Sequence, residues 1–339
     1  SRSPPNSFRC SPTSRRARAD VGGAKPTLEA GDRSPSLRRR PGKDKRTDLG
    51  GALQIVEDGH HVAVGGCLYS RTPWASLLEI LRAGRRDLTL SRNLMCYEAE
   101  LFLVRGAAST LVSSWVGIGL PWGIPKVFRR FVEERRARYE EWSHLSLGLR
   151  YLAASMGVPF LPTRSLLGSD LLASTGAKLM EDPFTGARVA LVPALVPDVA
   201  LIHAHRADAL GNAQIDGPPY MDREIARAAR HVILTVEEIV STDAISRSSD
   251  RTAIPHFLVD AVVEVPFGSF PHECYGLYEA LFAHFEEYAR LVDDQGIEGV
   301  ESYLRRYLDE AGSFEGFLER MGASVLLEQQ RRARELVPK

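Results

Sequence analysis

Between positions 105 and 170 the chain reads RGAASTLVSSWVGIGLPWG and then EEWSHLSLGLRYLAASMGVPFLPTRSLLGSD. The first piece predicts a strand that ends in a glycine loop, Gly117-Ile118-Gly119. The second predicts a helix over Ser143–Met156 that closes at Gly157, followed at once by a strand over 158–162. Two strand ends and one helix start then meet at a single rim. In an open α/β sheet, ligands bind in the crevice beyond the carboxyl ends of the strands. A helix start brings unpaired N–H groups and a positive dipole end to that rim. The layout suits an acyl thioester, whose carbonyl becomes an oxyanion when attacked. Ser143 and His144 open the helix, and a neutral imidazole there can donate one hydrogen bond. The other reading of His144 is a half-buried, hydrogen-bonded ring with no part in the chemistry. Glu140 and Glu141 stand just before the helix, where an anion is stabilised. Either could be a nucleophile there, with Glu141 kept as a catalytic candidate, or the pair caps the helix and offsets its dipole; covalent attack is expected of neither.

Other residues present a choice of the same kind. Val64-Gly65-Gly66-Cys67 ends a strand, and two glycines let backbone N–H groups approach a ligand. The same pair also makes a plain strand-to-helix turn. The spacing is not that of a dinucleotide fingerprint. Gly117, Ile118 and Gly119 either line an acyl pocket or form a loop, with Trp115 and Trp122 as walls or core. Glu237-Glu238 ends a strand at the same rim. His203 and His205 share a strand face, with Asp208 nearby, but three ligands are needed for a metal and no third is secure, so no metal is expected. Ser165 and Ser169 lack the nucleophile elbow of serine hydrolases. Arg129–Arg138 carries a basic helix face, which either attracts phosphates or is simply solvated.

These residues sit on a long alternation of elements. Strands are expected at His61–Val64, Asp87–Leu90, Thr110–Val116, Val189–Leu195, Val199–His203, His231–Val236 and Val259–Val265. Helices are expected at Pro73–Ala83, Glu98–Arg105, Phe128–Arg138 and Asp222–Arg230. Short apolar runs alternating with helices predict an α/β fold with an open, mostly parallel, doubly wound sheet. After Cys274 the pattern turns helical, over Tyr278–Val292, Ile297–Glu310 and Phe314–Leu336, with breaks at Gly296, Gly312 and Gly322. The 339 residues are 44% hydrophobic, ample for a large core. Residues 1–45 hold twelve Lys+Arg against four Asp+Glu in a chain of net charge zero. Rich in Ser, Pro and Arg, they read as a disordered basic tail. Residues 46–339 form the folded domain, with a helical extension over 275–339. The folded part is mildly acidic and lacks a basic patch, so nucleic acid is not an expected partner. No apolar run is long enough to span a membrane. Cys10, Cys67, Cys96 and Cys274 are scattered, which fits free thiols in a reducing cytoplasm.

Several separated segments resemble one family. DKRTDLGGALQIVEDGHHVAVGGCLYSRTPWASLLEILR resembles the opening of the α subunit of family I coenzyme A transferases, of the glutaconate or 3-oxoacid type. The resemblance continues through EEWSHLSLGLRYLAASMGVPFLPTRSLLGSD, VPDVALIHAHRADALGNAQIDG, AARHVILTVEEIV and VDAVVEVPFGSFPHECYGLY. It implies a NagB/RpiA-like sheet and an α–β heterotetramer. It also implies a glutamate on the β subunit that attacks the thioester of an acyl-CoA before CoA passes to a carboxylic acid. The partners implied are that β subunit, an acyl-CoA and a carboxylic acid. Coenzyme A is substrate, and no cofactor is expected. The resembling subunits hold Gln or Asn at the position of His144, facing the acyl site. A related branch cleaves a ring carbon–carbon bond in a steroid-derived CoA ester and carries a glutamate near there. That hydrolase is the second expectation, and a non-enzymatic sensor on the same fold the third.

Overall fold

The computed structural model describes residues 42–336. The first half runs α1 (Leu49–Leu53), β1 (His61–Val64), α2 (Trp74–Arg82), β2 (Leu88–Ser91), β3 (Leu94–Met95), α3 (Glu98–Val104), β4 (Ala108–Ser113) and β5 (Trp115–Val116). It continues through α4 (Lys126–Glu133), β6 (Arg138–Glu141), α5 (His144–Ser155), β7 (Phe160–Thr163), α6 (Leu171–Ser174), β8 (Lys178–Glu181) and β9 (Arg188–Pro193). Next come β10 (Val199–Ala207), β11 (Ala213–Gln214), α7 (Asp222–Ala228), β12 (His231–Ile239), α8 (Thr242–Ser246), β13 (Thr252–Ile254) and β14 (Ala261–Glu264). Four helices close the described chain: α9 (Phe282–Gln295), α10 (Ile297–Leu304), α11 (Phe314–Met321) and α12 (Ala323–Leu336).

Seven parallel strands form the central sheet in the order β14-β12-β10-β1-β2-β4-β6. Beyond the end of β1, β10 continues into antiparallel pairing with β11, which pairs in turn with β13. A strand buried on both faces divides its side chains between two cores. Val62 and Val64 of β1 enter the core under α1, α2, α3 and the C-terminal helices, and Ala63 enters the core under α5 and α7. Val199 and Leu201 of β10 join the first core, and Ala200, Ile202 and Ala204 the second. The mostly parallel sheet with helices on both faces and a C-terminal helical run is therefore observed.

Three local expectations change. The helix expected over Phe128–Arg138 ends at Glu133, and Arg138–Glu141 becomes the edge strand β6 beside β4. Arg135 takes a left-handed φ of 56° between them, and tertiary pairing overrides the helical pattern. The strand expected over Thr110–Val116 breaks at Ser114 into β4 and β5, and β5 pairs with β3 instead of the main sheet. The strand after Gly157 begins at Phe160 and joins β9 and β8 in a separate antiparallel sheet. Residues 1–41 of the basic tail lie outside the described residues. Among the described residues backbone pairing begins at Lys45, whose N–H donates to the Ala209 carbonyl at 2.9 Å and whose carbonyl accepts from Val262 N. No described helix is long and apolar enough to cross a membrane.

The C-terminal helices pack on the first core through aromatic rings. His284 of α9 is buried among Tyr303, Tyr307 and Phe317, and its Nε2 lies 2.9 Å from the Tyr303 hydroxyl. Burial lowers its pKa to about 3, and burial likewise lowers that of His205 to about 4. The unfolded chain binds protons on these rings below about pH 6.5, whereas the folded chain does not until far lower. Stability is therefore level above pH 6.5 and falls as pH drops from there toward 4. Urea midpoints measured across that window should decline, and His284→Gln should flatten the decline.

Candidate functional site

The carboxyl ends of β1, β4, β6, β10 and β12 define one rim. At the end of β1, Gly65 and Gly66 turn the chain toward α2. Gly65 N–H donates to the Leu201 carbonyl at 2.8 Å, and Gly66 N–H donates to Asp222 Oδ1 at 2.7 Å. Asp222 Oδ2 accepts from Arg71 Nη1 at 2.6 Å, and Arg71 also donates to the carbonyls of His203 and Pro218. Arg71 is 1% exposed and Asp222 is 0% exposed. Both glycine amides are thus held inside the fold, and the pair works as a tight turn over a buried ion pair. Gly66 has φ of 66°, and a Cβ there would lie 2.6 Å from the Arg71 carbonyl oxygen, so only glycine fits.

The helix start lies across the rim. Ser143 caps α5 by accepting from Ser146 N–H at 3.1 Å, and its hydroxyl also meets that of Ser165 at 3.3 Å. Ser165 follows β7, so that strand returns to the rim although it belongs to another sheet. His144 is exposed, and its carbonyl accepts from Asn93 Nδ2 at 3.4 Å. Asn93 is the residue that sequence reasoning missed. It is buried and binds Ser114 Oγ through its own carbonyl and side-chain oxygens, locking the segment before Gly117 to the helix start. Its signal is a turn between two very short strands, visible only after their pairing is known.

The carboxylates separate into two groups. Glu140 Oε1 accepts from Arg150 Nη1 at 2.5 Å and from Trp142 Nε1 at 2.7 Å. Burial works to raise the Glu140 pKa, but the Arg150 charge and the hydrogen bonds outweigh it and hold it below the ordinary value. Glu237 Oε1 accepts from Tyr278 Oη at 2.6 Å and pairs with His203 Nε2 at 2.7 Å, while Oε2 accepts from Phe267 N–H. Glu141 and Glu238 are exposed, and the Glu141 carboxylate has no hydrogen-bond partner among the described residues. Cys67 is half-buried at the Gly66 turn, and burial pushes its thiol pKa up, which disfavours a thiolate nucleophile.

Among the described residues, two side-chain groups have metal-ligating types within reach of one another, His203 with Glu237 and Cys274, and Cys96 with Glu98 and His272. Each carboxylate is already engaged, Glu237 as above and Glu98 by Arg92 and the Cys96 N–H. His205 turns to Tyr275 O and Asp216 N–H, and Asp208 caps the turn at Leu210–Asn212. The trio of His203, His205 and Asp208 therefore does not converge. Arg130 of α4 and Arg136, beyond its end, pair with Glu134 at the surface.

Between the two glycine loops lies a cleft of about 480 Å³, lined by Leu68, Tyr69, Leu94, Trp115, Trp122 and Phe282, with Gly119 and Pro121 at its edge. Tyr69 Oη donates to the Ile118 carbonyl. A Cβ on Gly117 would lie 2.5 Å from the Trp115 ring, so glycine lets the indole lie flat against the loop.

Residues 47–265 match the family model described as coenzyme A transferase. The chain is 40% identical to an uncharacterized protein of Archaeoglobus fulgidus over 83% of this chain, and spans 63% of that relative's length. It is 30% identical to the A subunit of glutaconate CoA-transferase from Acidaminococcus fermentans, over 81% of this chain and 90% of that one. It is 28% identical to the cholesterol ring-cleaving hydrolase IpdA subunit of Rhodococcus jostii, over 73% of this chain and 88% of that one. The crystal structure of glutaconate coenzyme A-transferase from Acidaminococcus fermentans superposes with a TM-score of 0.81 at 29% identity, covering 87% and 96% of the two chains. That of the decarboxylase AibA/AibB superposes with a TM-score of 0.68 at 34% identity, covering 77% and 98%.

Asp222→Ala would leave the Arg71 guanidinium buried without its counter-charge. The loss should be about 3–5 kcal/mol in urea unfolding, since an uncompensated buried charge is strongly destabilising. A cost below about 1 kcal/mol would show that the turn does not depend on this pair.

Proposed function

The chain belongs to the coenzyme A transferase family, and from that premise we propose that it is the α subunit of a heteromeric CoA-transferase whose attacking glutamate lies on the β subunit. One observation carries the reading. Three carboxylates at this rim are already bound: Glu140 to Arg150 and Trp142, Glu237 to His203 and Tyr278, Asp222 to Arg71 and Gly66. A carboxylate with its lone pairs engaged is a poor nucleophile, so these three serve the fold, and the reading assigns the exposed Glu141 and Glu238 no covalent role. Relatives named as the A subunits of glutaconate and 3-oxoadipate CoA-transferases support the same division.

In the proposed reaction the β-subunit carboxylate attacks the thioester carbonyl, and the carbonyl π pair moves to oxygen. Collapse expels CoA thiolate and leaves an acyl–glutamyl anhydride. The thiolate then attacks the glutamyl carbonyl and releases the donor acid. The acceptor acid takes the reverse course and leaves as its CoA ester. His144, at the exposed first turn of α5, donates a hydrogen bond to the oxyanion. Ser143, Gly117, Ile118 and Gly119 shape the same side of the acyl site, and the Gly65-Gly66 turn fixes its opposite wall.

The apolar cleft and the hydrolase relative support a second reading, cleavage of a hydrocarbon ring in a CoA ester by water. Product analysis with and without an acceptor acid separates the two, since only a transferase needs the acceptor. Release of CO₂ would instead mark a decarboxylase.

With the β subunit present, His144→Ala should lower kcat about 10²-fold with little change in KM, because the donor acts mainly in the transition state. Glu141→Gln should leave turnover within about two-fold. A CoA adduct trapped on this chain, or transfer by this chain alone, would overturn the assignment.

A further inference from the structure

The cleft between the glycine loops carries information about the acyl group. Every side chain that lines it is aliphatic or aromatic, and none is charged. Its one phenol, Tyr69, already donates to the Ile118 carbonyl. The guanidinium behind the Leu68 turn, Arg92, is 0% exposed and turned inward to Glu98, Thr72 Oγ1 and the Leu68 carbonyl. The walls are braced from outside: Tyr69 stacks on Phe285 at 5.2 Å between centroids and meets Phe282 edge-on at 5.1 Å. The floor joins the helix start that carries His144. Leu94 follows Asn93 and Trp115 follows Ser114, and Asn93 binds both the His144 carbonyl and Ser114 Oγ. A volume of about 480 Å³ lies within the range of sites that hold a whole small molecule.

We propose that this cleft holds the distal part of the acyl group, and that the enzyme selects hydrocarbon acyl chains of medium length with no charge beyond the thioester. The inference rests on the proposed CoA-ester chemistry and names its substrate class. A distal carboxylate placed here loses its water and gains no cation, whereas each added methylene leaves water for an apolar wall. Dicarboxylic acyl groups are therefore rejected on this side of the site.

The test uses the α–β enzyme and a series of thioesters with acetate as acceptor. From butyryl-CoA to octanoyl-CoA, kcat/KM should rise about four-fold per methylene. Glutaryl-CoA should fall about 100-fold or more below valeryl-CoA, its length-matched neutral counterpart. Phe282→Arg, on a side chain 51% exposed at the cleft mouth, should narrow that ratio at least ten-fold. Turnover of glutaryl-CoA equal to or above valeryl-CoA, or a ratio untouched by Phe282→Arg, overturns the inference and leaves the proposed function standing. Absence of turnover and of CoA-ester exchange with every thioester overturns the proposed function and this inference with it.

Discussion

The buried pair of Arg71 and Asp222 holds the rim together. Asp222 opens α7, and its two oxygens meet the Gly66 amide and the Arg71 guanidinium. Arg71 reaches on to the carbonyls of His203 in β10 and Pro218 before α7. Three chain segments distant in sequence are thus fixed by one charge pair removed from water. Such a pair contributes little net stability against an apolar substitute, yet removing either partner is costly, so it acts chiefly to select one geometry. Here it fixes the height of the β1–α2 turn, and that turn forms one wall of the cleft.

The opposite wall depends on space instead of charge. Gly117 and Gly119 let the Trp115 and Trp122 rings and the Tyr69 hydroxyl close in on the loop backbone. The C-terminal helices add Phe282 to the cleft and pack Phe282 and Phe285 against Tyr69. They also anchor the first core through Tyr97, Tyr288 and Tyr303, whose rings lie within about 6 Å of one another. The helical extension thus helps to build the cleft and the first core and is not an appendage to the sheet.

Polar chemistry at the rim follows from strand direction. In a parallel sheet every strand delivers its last residues to one edge, so Glu140, His203, His205 and Glu237 gather there. Most become structural partners of one another or of the 267–278 segment, which leaves the exposed start of α5 as the open polar surface. An exposed histidine beside an exposed leucine lies there, at a helix start that Asn93 ties to the floor of the apolar cleft.

The alternation of elements, the parallel sheet and the C-terminal helices were legible because apolar periodicity is local, and burial of a strand on both faces leaves a plain run of Val, Ile, Leu and Ala. Ser143 as a cap and the start of α5 were legible for the same reason. Edge strand β6 was not, since RYEE has no apolar signature and becomes a strand only by pairing with β4. Nor was the split at Ser114, which Asn93 imposes from another turn. The role of Gly66 as a turn over Asp222, the engagement of Glu140 and Glu237, and the joining of Leu94, Trp115 and Phe282 into one cleft were decided by contacts between residues distant in sequence. Side-chain type and short-range spacing specify which elements form and which groups they carry. Whether a carboxylate is free or bound, and which apolar faces meet, depends on long-range packing that no single segment encodes.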